Sequence, residues 1–460
     1  LLDAFDKGLY VEAIPNENKI IGYSTKNSGG VPDNFKNYFV LEFNKPFKNI
    51  STFADSVLQD NRFKVKADHV GALLGFSING KEDHVLVKVA SSFISHEQAR
   101  RHLRELKGQD FEQIKNKAAD IWNKELGKIE IQGGTIDQIR TFYSCLYRTL
   151  LFPRMFYEYD TNNQVVHYSP YNGQVLPGYM FTDTGFWDTF RSLFPFLNLM
   201  YPEMNIKIQG GLANAYREGG WLPEWASPGY RNIMVGNNSA SVVADAWVKG
   251  VRIKDIETLY EAVVKGSKNA GPITAVGRAG AEYYNALGYV PYDVKIHENV
   301  ARSLEYAYDD FAIYQLAKDL NKKEDIDFYK SRSYNYQKLF DAKNGLMRGK
   351  NQDGTWQSPF NPFKWGDAFT EGNSWHYSWS VFQDFDGLAS LIGGYQAMEN
   401  KLDSVFILPP IFDDSYYGFP IHEIREMQIA NMGQYAHGNQ PIQHMTYLYN
   451  YIGAPWKSQY

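Results

Sequence analysis

Near Ser95 the sequence changes its hydrophobic period, and this change constrains the fold more than any other feature. Before it, short runs rich in Val, Ile, Phe and Tyr sit between turn residues; after it, apolar residues recur at helical spacing. The runs 19–23, 38–43, 63–67 and 84–89 read as strands, separated by Asn-Gly, Gly-Gly and Pro-Asp pairs that favour turns. They predict antiparallel sheet, part of a β-sandwich domain over residues 1–95. Ser95 followed by Gln98 has capping-box spacing. Residues 96–134 read as a helical linker, with helices over 97–106 and 110–126 and one short strand at 128–131. From 135 to 460, helices are expected near 136–152, 187–200, 205–217, 239–250, 254–267, 298–320, 322–341, 375–400, 421–436 and 440–452. Antiparallel helices joined by long loops fit an all-α (α/α)6 toroid better than a compact bundle. In a toroid the loops at one rim carry the function.

Composition narrows the class of function. The 460 residues suffice for two domains, and 44% are hydrophobic. A net charge of −5 with no basic stripe excludes a nucleic-acid partner. No apolar run is long enough for membrane insertion as a spanning helix. The single cysteine, Cys145, rules out a disulfide within the chain, and its apolar helical surroundings predict a buried, inert thiol. Aromatic residues make up 16% of the chain. They fit either a large core or a sugar site, because aromatic faces pack against the C–H faces of pyranose rings.

Four loop segments carry chemistry. In Gly185-Phe186-Trp187-Asp188, Asp188 is placed either to cap a helix or to hold sugar hydroxyls beside Trp187, with Arg191 on the same helical face to orient it. Gly219-Gly220-Trp221-Leu222-Pro223-Glu224-Trp225 suggests an aromatic-walled pocket with one carboxylate, or a Trp-anchored loop with Glu224 in a surface ion pair. In Glu371-Gly372-Asn373-Ser374-Trp375-His376-Tyr377-Ser378-Trp379, aromatic neighbours would desolvate the Glu371 carboxyl and raise its pKa. A following helix, capped by Asn373 or Ser374, would oppose that shift. His437-Gly438-Asn439-Gln440 offers carboxamide oxygens to a hard cation. No phosphate-binding loop, nucleophile elbow or His-Glu-x-x-His is present.

Taken in order, these segments closely resemble glycoside hydrolase family 92, the calcium-dependent exo-α-mannosidases. The resemblance also runs through Phe93-Ile94-Ser95, the helix from Arg140 to Arg154, His167-Tyr168-Ser169-Pro170-Tyr171-Asn172-Gly173, Gly236-Asn237-Asn238-Ser239-Ala240 and Gly438-Asn439-Gln440-Pro441. It implies a β-sandwich followed by an (α/α)6 catalytic toroid, and inverting hydrolysis of α-mannosidic bonds in N-glycans or mannan. Calcium is the implied cofactor. Glu371 matches the family's general acid. Trp187, Asp188, Trp221, Glu224, Trp225, Trp375 and His437 match regions lining the mannose site, and Asn439 and Gln440 would ligate the metal. The family's general base is expected beyond Tyr460, and both ends of the chain look cut. A secreted or periplasmic location follows from the resemblance alone. The alternatives are a non-catalytic mannoside-binding protein and another α/α-toroid glycosidase.

Overall fold

A computed structural model describes residues 2–27, 30–81 and 83–460. Seven strands form one antiparallel sheet: β1 (Leu2–Ile14), β2 (Lys19–Ser24), β3 (Asn37–Phe43), β4 (Asn49–Ala54), β5 (Val57–Asp60), β6 (Lys64–Gly75) and β7 (Val87–Ser92). Their spatial order is β5-β4-β6-β1-β2-β3-β7. Strand β1 shows why the sheet forms. Leu9, Val11 and Ala13 alternate inward and are buried with Ile20, Ile50, Val65 and Val70, while Tyr10 and Glu12 point the other way. Register is fixed by pairs such as Val11 opposite Val65 on one side and Val11 opposite Gly22 on the other. A one-residue slip would turn that apolar set to the opposite face. Helix α1 (His96–Arg104) packs Ala99 and Leu103 against Val40 of β3, its first turn capped by Ser95, which accepts from the Gln98 N–H at 3.1 Å. The capping position read from the sequence is therefore the observed one.

Helices α2 (Phe111–Leu126) and α3 (Ile136–Thr149) both start with full capping boxes, Asp110 with Gln113 and Thr135 with Gln138. The strand expected at 128–131 does not form. Lys128 and Ile129 continue the turn that closes α2, and the Ile129 carbonyl accepts from the Tyr143 hydroxyl rather than from a neighbouring strand. Cys145 is exposed on α3, not buried. Only Leu146 of that helix is buried, and Cys145 lies one residue, about 100°, around the helix from it.

By internal contacts the chain divides into two units, one of residues 1–184 with 227–229 and one of 185–226 with 230–460. The second is the helical one. It contains α4 (Phe186–Thr189), α5 (Leu193–Met200), α6 (Pro202–Gly219), α7 (Ser239–Val248), α8 (Ile256–Lys268), α9 (Ala281–Leu287), α10 (Asn299–Asp319) and α11 (Lys323–Arg332). It continues with α12 (Ser374–Tyr377), α13 (Phe385–Ile392), α14 (Tyr395–Ile407), α15 (His422–Ala430), α16 (Leu448–Tyr451) and α17 (Pro455–Gln459). Helix α10 is central, packing against α7, α8 and α11, and most of its residues are buried. Its polar residues are paired inside: Asp310 holds Arg278 and Arg332, each at 2.8 Å. The single helix expected over 375–400 is three pieces. Asp384 caps α13 through the Gly387 N–H, and Gly393 and Gly394, with φ of 112° and 98°, end it before α14 begins. The helix expected over 322–341 stops at Arg332 and passes into a 3-10 turn at Asn335–Leu339.

Candidate active site

Glu371 lies in the loop before α12. Asn373 caps that helix by accepting from the His376 N–H at 3.2 Å, while His376 Nδ1 accepts from the Asn373 N–H at 3.1 Å. The far side of the same ring donates to the Gln434 carbonyl at 2.7 Å. This rigid start leaves Glu371 two residues upstream in the left-handed region, with φ of 46°. A glutamate gains nothing locally from that conformation, which costs roughly 1–3 kcal/mol and persists only where the surroundings enforce it. The main-chain N–H of Glu371 donates to the Tyr417 hydroxyl at 3.2 Å, and its carbonyl accepts from Asn439 Nδ2.

The Glu371 side chain opens on a cavity of about 530 Å³ shared with Tyr417, Phe419, Pro420, Ile421, His422, Glu423 and Arg425. Burial, then the negative charges of Glu423, Asp188 and Glu298, push the Glu371 carboxyl up to about 7, with His422 opposing. Glu423 is 6% exposed, pairs with His422 Nε2 at 3.0 Å, and leaves its buried Oε2 without a partner. Asp188 is raised to about 6 by burial against the pull of Arg191. It accepts from Gln440 Nε2 at 3.1 Å and caps nothing. The lining by Tyr417, Phe419, His422 and Glu423 was not singled out from the sequence. Its signal is an aromatic, proline-bounded run, Tyr416 to Pro420, followed after Ile421 by His-Glu in the first turn of α15.

The other residues named from the sequence are placed differently. Arg191 does not orient Asp188 by a hydrogen bond. It donates to the Trp187 carbonyl at 3.0 Å and to Glu305 at 2.9 Å, with its guanidinium 5.2 Å from the Trp187 ring centre. Trp187 itself is 2% exposed and belongs to the core. Glu224, read as a pocket carboxylate or a surface ion pair, forms no surface ion pair. It is buried and accepts from Ser239 N–H, Ser239 Oγ and Asn237 Nδ2 at 2.9, 2.6 and 2.7 Å, which anchors the start of α7. Burial pushes its carboxyl up to about 7, and those hydrogen bonds pull against the shift. The Trp225 ring covers Gly185, where an added Cβ would lie 2.1 Å from it. Trp221 lies under Lys265 Nζ at 4.6 Å, and Trp375 under Lys401 Nζ at 4.5 Å. His437 is exposed, bonds the Tyr435 hydroxyl through Nδ1 at 2.9 Å, and lines with Gln440 and Arg191 a second cavity of about 600 Å³.

For a hard cation, the donor set fits in chemical type. Asp188, the unpartnered Glu423 Oε2 and the Gln440 carboxamide are all oxygen donors. Asn439 is more committed: Nδ2 serves Glu371, and Oδ1 accepts the Gln440 N–H at 3.0 Å, keeping one lone pair. Among the described residues, no three His, Cys, Asp or Glu side chains converge on a metal position. Amide and main-chain oxygens would therefore have to supply much of such a shell.

Comparison with known proteins bears on this geometry. Residues 98–460 match the model of the glycosyl hydrolase family 92 catalytic domain, and residues 4–92 match that of its N-terminal domain. A solved family 92 inverting mannosidase from Bacteroides thetaiotaomicron VPI-5482 is 47% identical, with a TM-score of 0.93, over 100% of this chain and 62% of that one. A family 92 α-mannosidase from the same species, solved with mannoimidazole, is 30% identical, with a TM-score of 0.85, over 99% of this chain and 59% of that one. An uncharacterized secreted glycosidase of Arthroderma benhamiae is 27% identical across 86% of this chain and 48% of its own length. The chain thus spans about half the length of that curated relative and about three-fifths of these solved ones. With a sheet-rich N-terminal part, a helical part carrying Glu371 in its cavity, and both family models matched in order, the chain belongs to glycosyl hydrolase family 92.

Proposed function

We propose that this chain carries the general acid, Glu371, of an exo-acting, inverting α-mannosidase. The observation that carries the reading is the Glu371 carboxyl itself. A carboxyl pushed up to about 7 by burial and by three neighbouring carboxylates is still substantially protonated near neutral pH, as an acid catalyst requires. In the reaction, Glu371 gives its proton to the departing glycosidic oxygen as the bond to the anomeric carbon breaks. A water molecule attacks that carbon from the opposite face, losing its proton to a second carboxylate. Inversion requires the two carboxyls to be about 6.5–9.5 Å apart.

Calcium is part of the proposal, with Gln440, Asn439 and Asp188 as the residues that would hold it. When bound, such an ion supplies Lewis-acid contacts to neighbouring sugar hydroxyls. Gln440 Nε2 donates to Asp188 Oδ1 at 3.1 Å, which ties the two side chains together, and their remaining oxygens would be this chain's contribution. An α-mannoside substrate is supported by the printed descriptions of the solved relatives, and a secreted location by that of the fungal glycosidase. N-glycans or mannan remain the proposed source of that mannoside. Among the described residues no helix is long and apolar enough to cross a membrane.

The test is proton NMR of mannose released from an α-1,2-mannobioside by the full-length protein, at early times, with and without chelator. Prompt β-mannose that disappears on chelation is expected. First-formed α-mannose would refute inversion, and undiminished release in chelator would refute the calcium requirement. Binding without turnover would favour the mannoside-binding alternative.

A further inference from the structure

Among the described residues, two glutamates have positive φ, Glu298 at 59° and Glu371 at 46°. Asn and Asp tolerate that region because their short side chains bond the local backbone; a glutamate must be held there from outside. Glu371 is held at both main-chain polar atoms, by the Tyr417 hydroxyl at its N–H and by Asn439 at its carbonyl. Tyr417 can do this because its own loop is tied to the loop carrying Glu371. The Trp365 N–H donates to the Asp413 carbonyl at 2.8 Å, the Asp413 N–H donates to the Phe363 carbonyl at 3.1 Å, and Asn361 Nδ2 reaches Asp413 Oδ2 at 3.0 Å. The Tyr417 ring also lies against Gly366, where an added Cβ would come within 2.9 Å of it. Tyr417 faces the same 530 Å³ cavity as the Glu371 carboxyl.

We propose that Tyr417 is a positioning residue for the general acid: by accepting the Glu371 N–H, its hydroxyl fixes the backbone turn that aims the carboxyl into the cavity. This inference rests on the reading of Glu371 as the acid. Burial, reinforced by the charges of Glu298 and Glu371, holds the phenol well above its usual range, so it stays protonated and the contact does not change with working pH. Misplacing a catalytic group by about 1 Å can cost on the order of 100-fold. The loss should fall on proton delivery, because the ring of a Tyr417→Phe variant still fills the space beside Gly366.

The experiment compares full-length wild type, Tyr417→Phe, Tyr416→Phe and Glu371→Gln on two substrates. One is an α-1,2-mannobioside, whose leaving oxygen needs a proton. The other is 2,4-dinitrophenyl α-mannoside, whose leaving oxygen does not. Tyr417→Phe should lower kcat on the mannobioside by roughly 10- to 100-fold with KM within about twofold, and leave kcat on the dinitrophenyl mannoside within about threefold. Tyr416→Phe, which lacks the bond to Glu371, should leave both unchanged. Equal losses on both substrates, or none on either, would overturn the role of Tyr417. Glu371→Gln must show the same contrast between substrates, more strongly; if it does not, the acid assignment fails and this inference with it. If it does while Tyr417→Phe shows no contrast, only the Tyr417 role falls. Should the phenylalanine variant not fold, amide exchange in wild type decides. The Glu371 N–H should be protected relative to an open loop, and unprotected exchange would sink the proposal.

Discussion

Glu224 and Glu371 are two carboxyls each pushed to about 7, yet their surroundings assign them different work. Glu224 is enclosed and spends both oxygens on donors at the start of α7, where the helix dipole also favours a negative charge. Glu371 faces a cavity and has its main chain, not its carboxyl, held by hydrogen bonds. Substitution should separate the two. Glu224→Ala leaves three buried donors unpartnered and should cost roughly 3–5 kcal/mol of stability, read from urea unfolding, whereas Glu371→Gln should leave the unfolding midpoint nearly unchanged. Conversely, Glu371→Gln should lower kcat on a disaccharide by roughly 10²- to 10⁴-fold. A Glu224→Ala variant within 1 kcal/mol of wild type would refute the anchoring role.

At the scale of elements, α12 poses the sharpest question, because four residues cannot sustain a helix alone. It stands because Asn373 and His376 cap it reciprocally and His376 ties it to Gln434. The cap requires His376 Nδ1 as an acceptor, hence a neutral ring, and burial pushes that imidazole down to about 4. His444, whose ring donates to the Trp379 carbonyl, is likewise pushed down to about 4 by burial. Both groups are neutral in the folded protein at pH values where the unfolded chain, near 6.5, already binds protons. Stability from this source is therefore intact above about pH 6.5 and declines as pH falls toward 4, by up to roughly 3 kcal/mol per ring. Urea midpoints between pH 7 and pH 5 should show the decline, and His376→Gln should reduce its slope. An unchanged slope in that variant would mean that His376 is not one of the responsible groups.

For the whole molecule, the sheet and the helical part each carry an apolar core of their own, around Val11 and Val65 in one and around Leu304, Tyr377 and Trp379 in the other. Two compact units with separate cores need not unfold as one. Calorimetry should show more than one transition. Val65→Ala should lower one and Leu304→Ala the other, each removal costing roughly 2–4 kcal/mol in its own unit. A single transition with equal calorimetric and van't Hoff enthalpies, moved alike by both substitutions, would count against this independence.

What the sequence determined was local. The change of period at Ser95, the strands β2, β3 and β7, the caps at Ser95 and Asn373, and the ordered motif containing Glu371 are all set by residues within a few positions of one another. Strand β1 was legible in the same way, since Leu9, Val11 and Ala13 alternate with Tyr10 and Glu12, but it was not read. Which face a residue shows was decided only by tertiary structure. Trp187 is buried in the core, Trp221 and Trp375 lie under Lys265 and Lys401, and Trp225 covers Gly185. Glu224 became an anchor because α7 begins beside it, fifteen residues further along the chain. The surroundings of Glu371 likewise come from afar: Tyr417 and Asn439 meet it across 46 and 68 residues. Periodicity and capping depend on neighbours in sequence, whereas desolvation, opposing charge and a held backbone depend on neighbours in space. It is the second set that gives one carboxyl a proton to donate and commits the other to holding a helix.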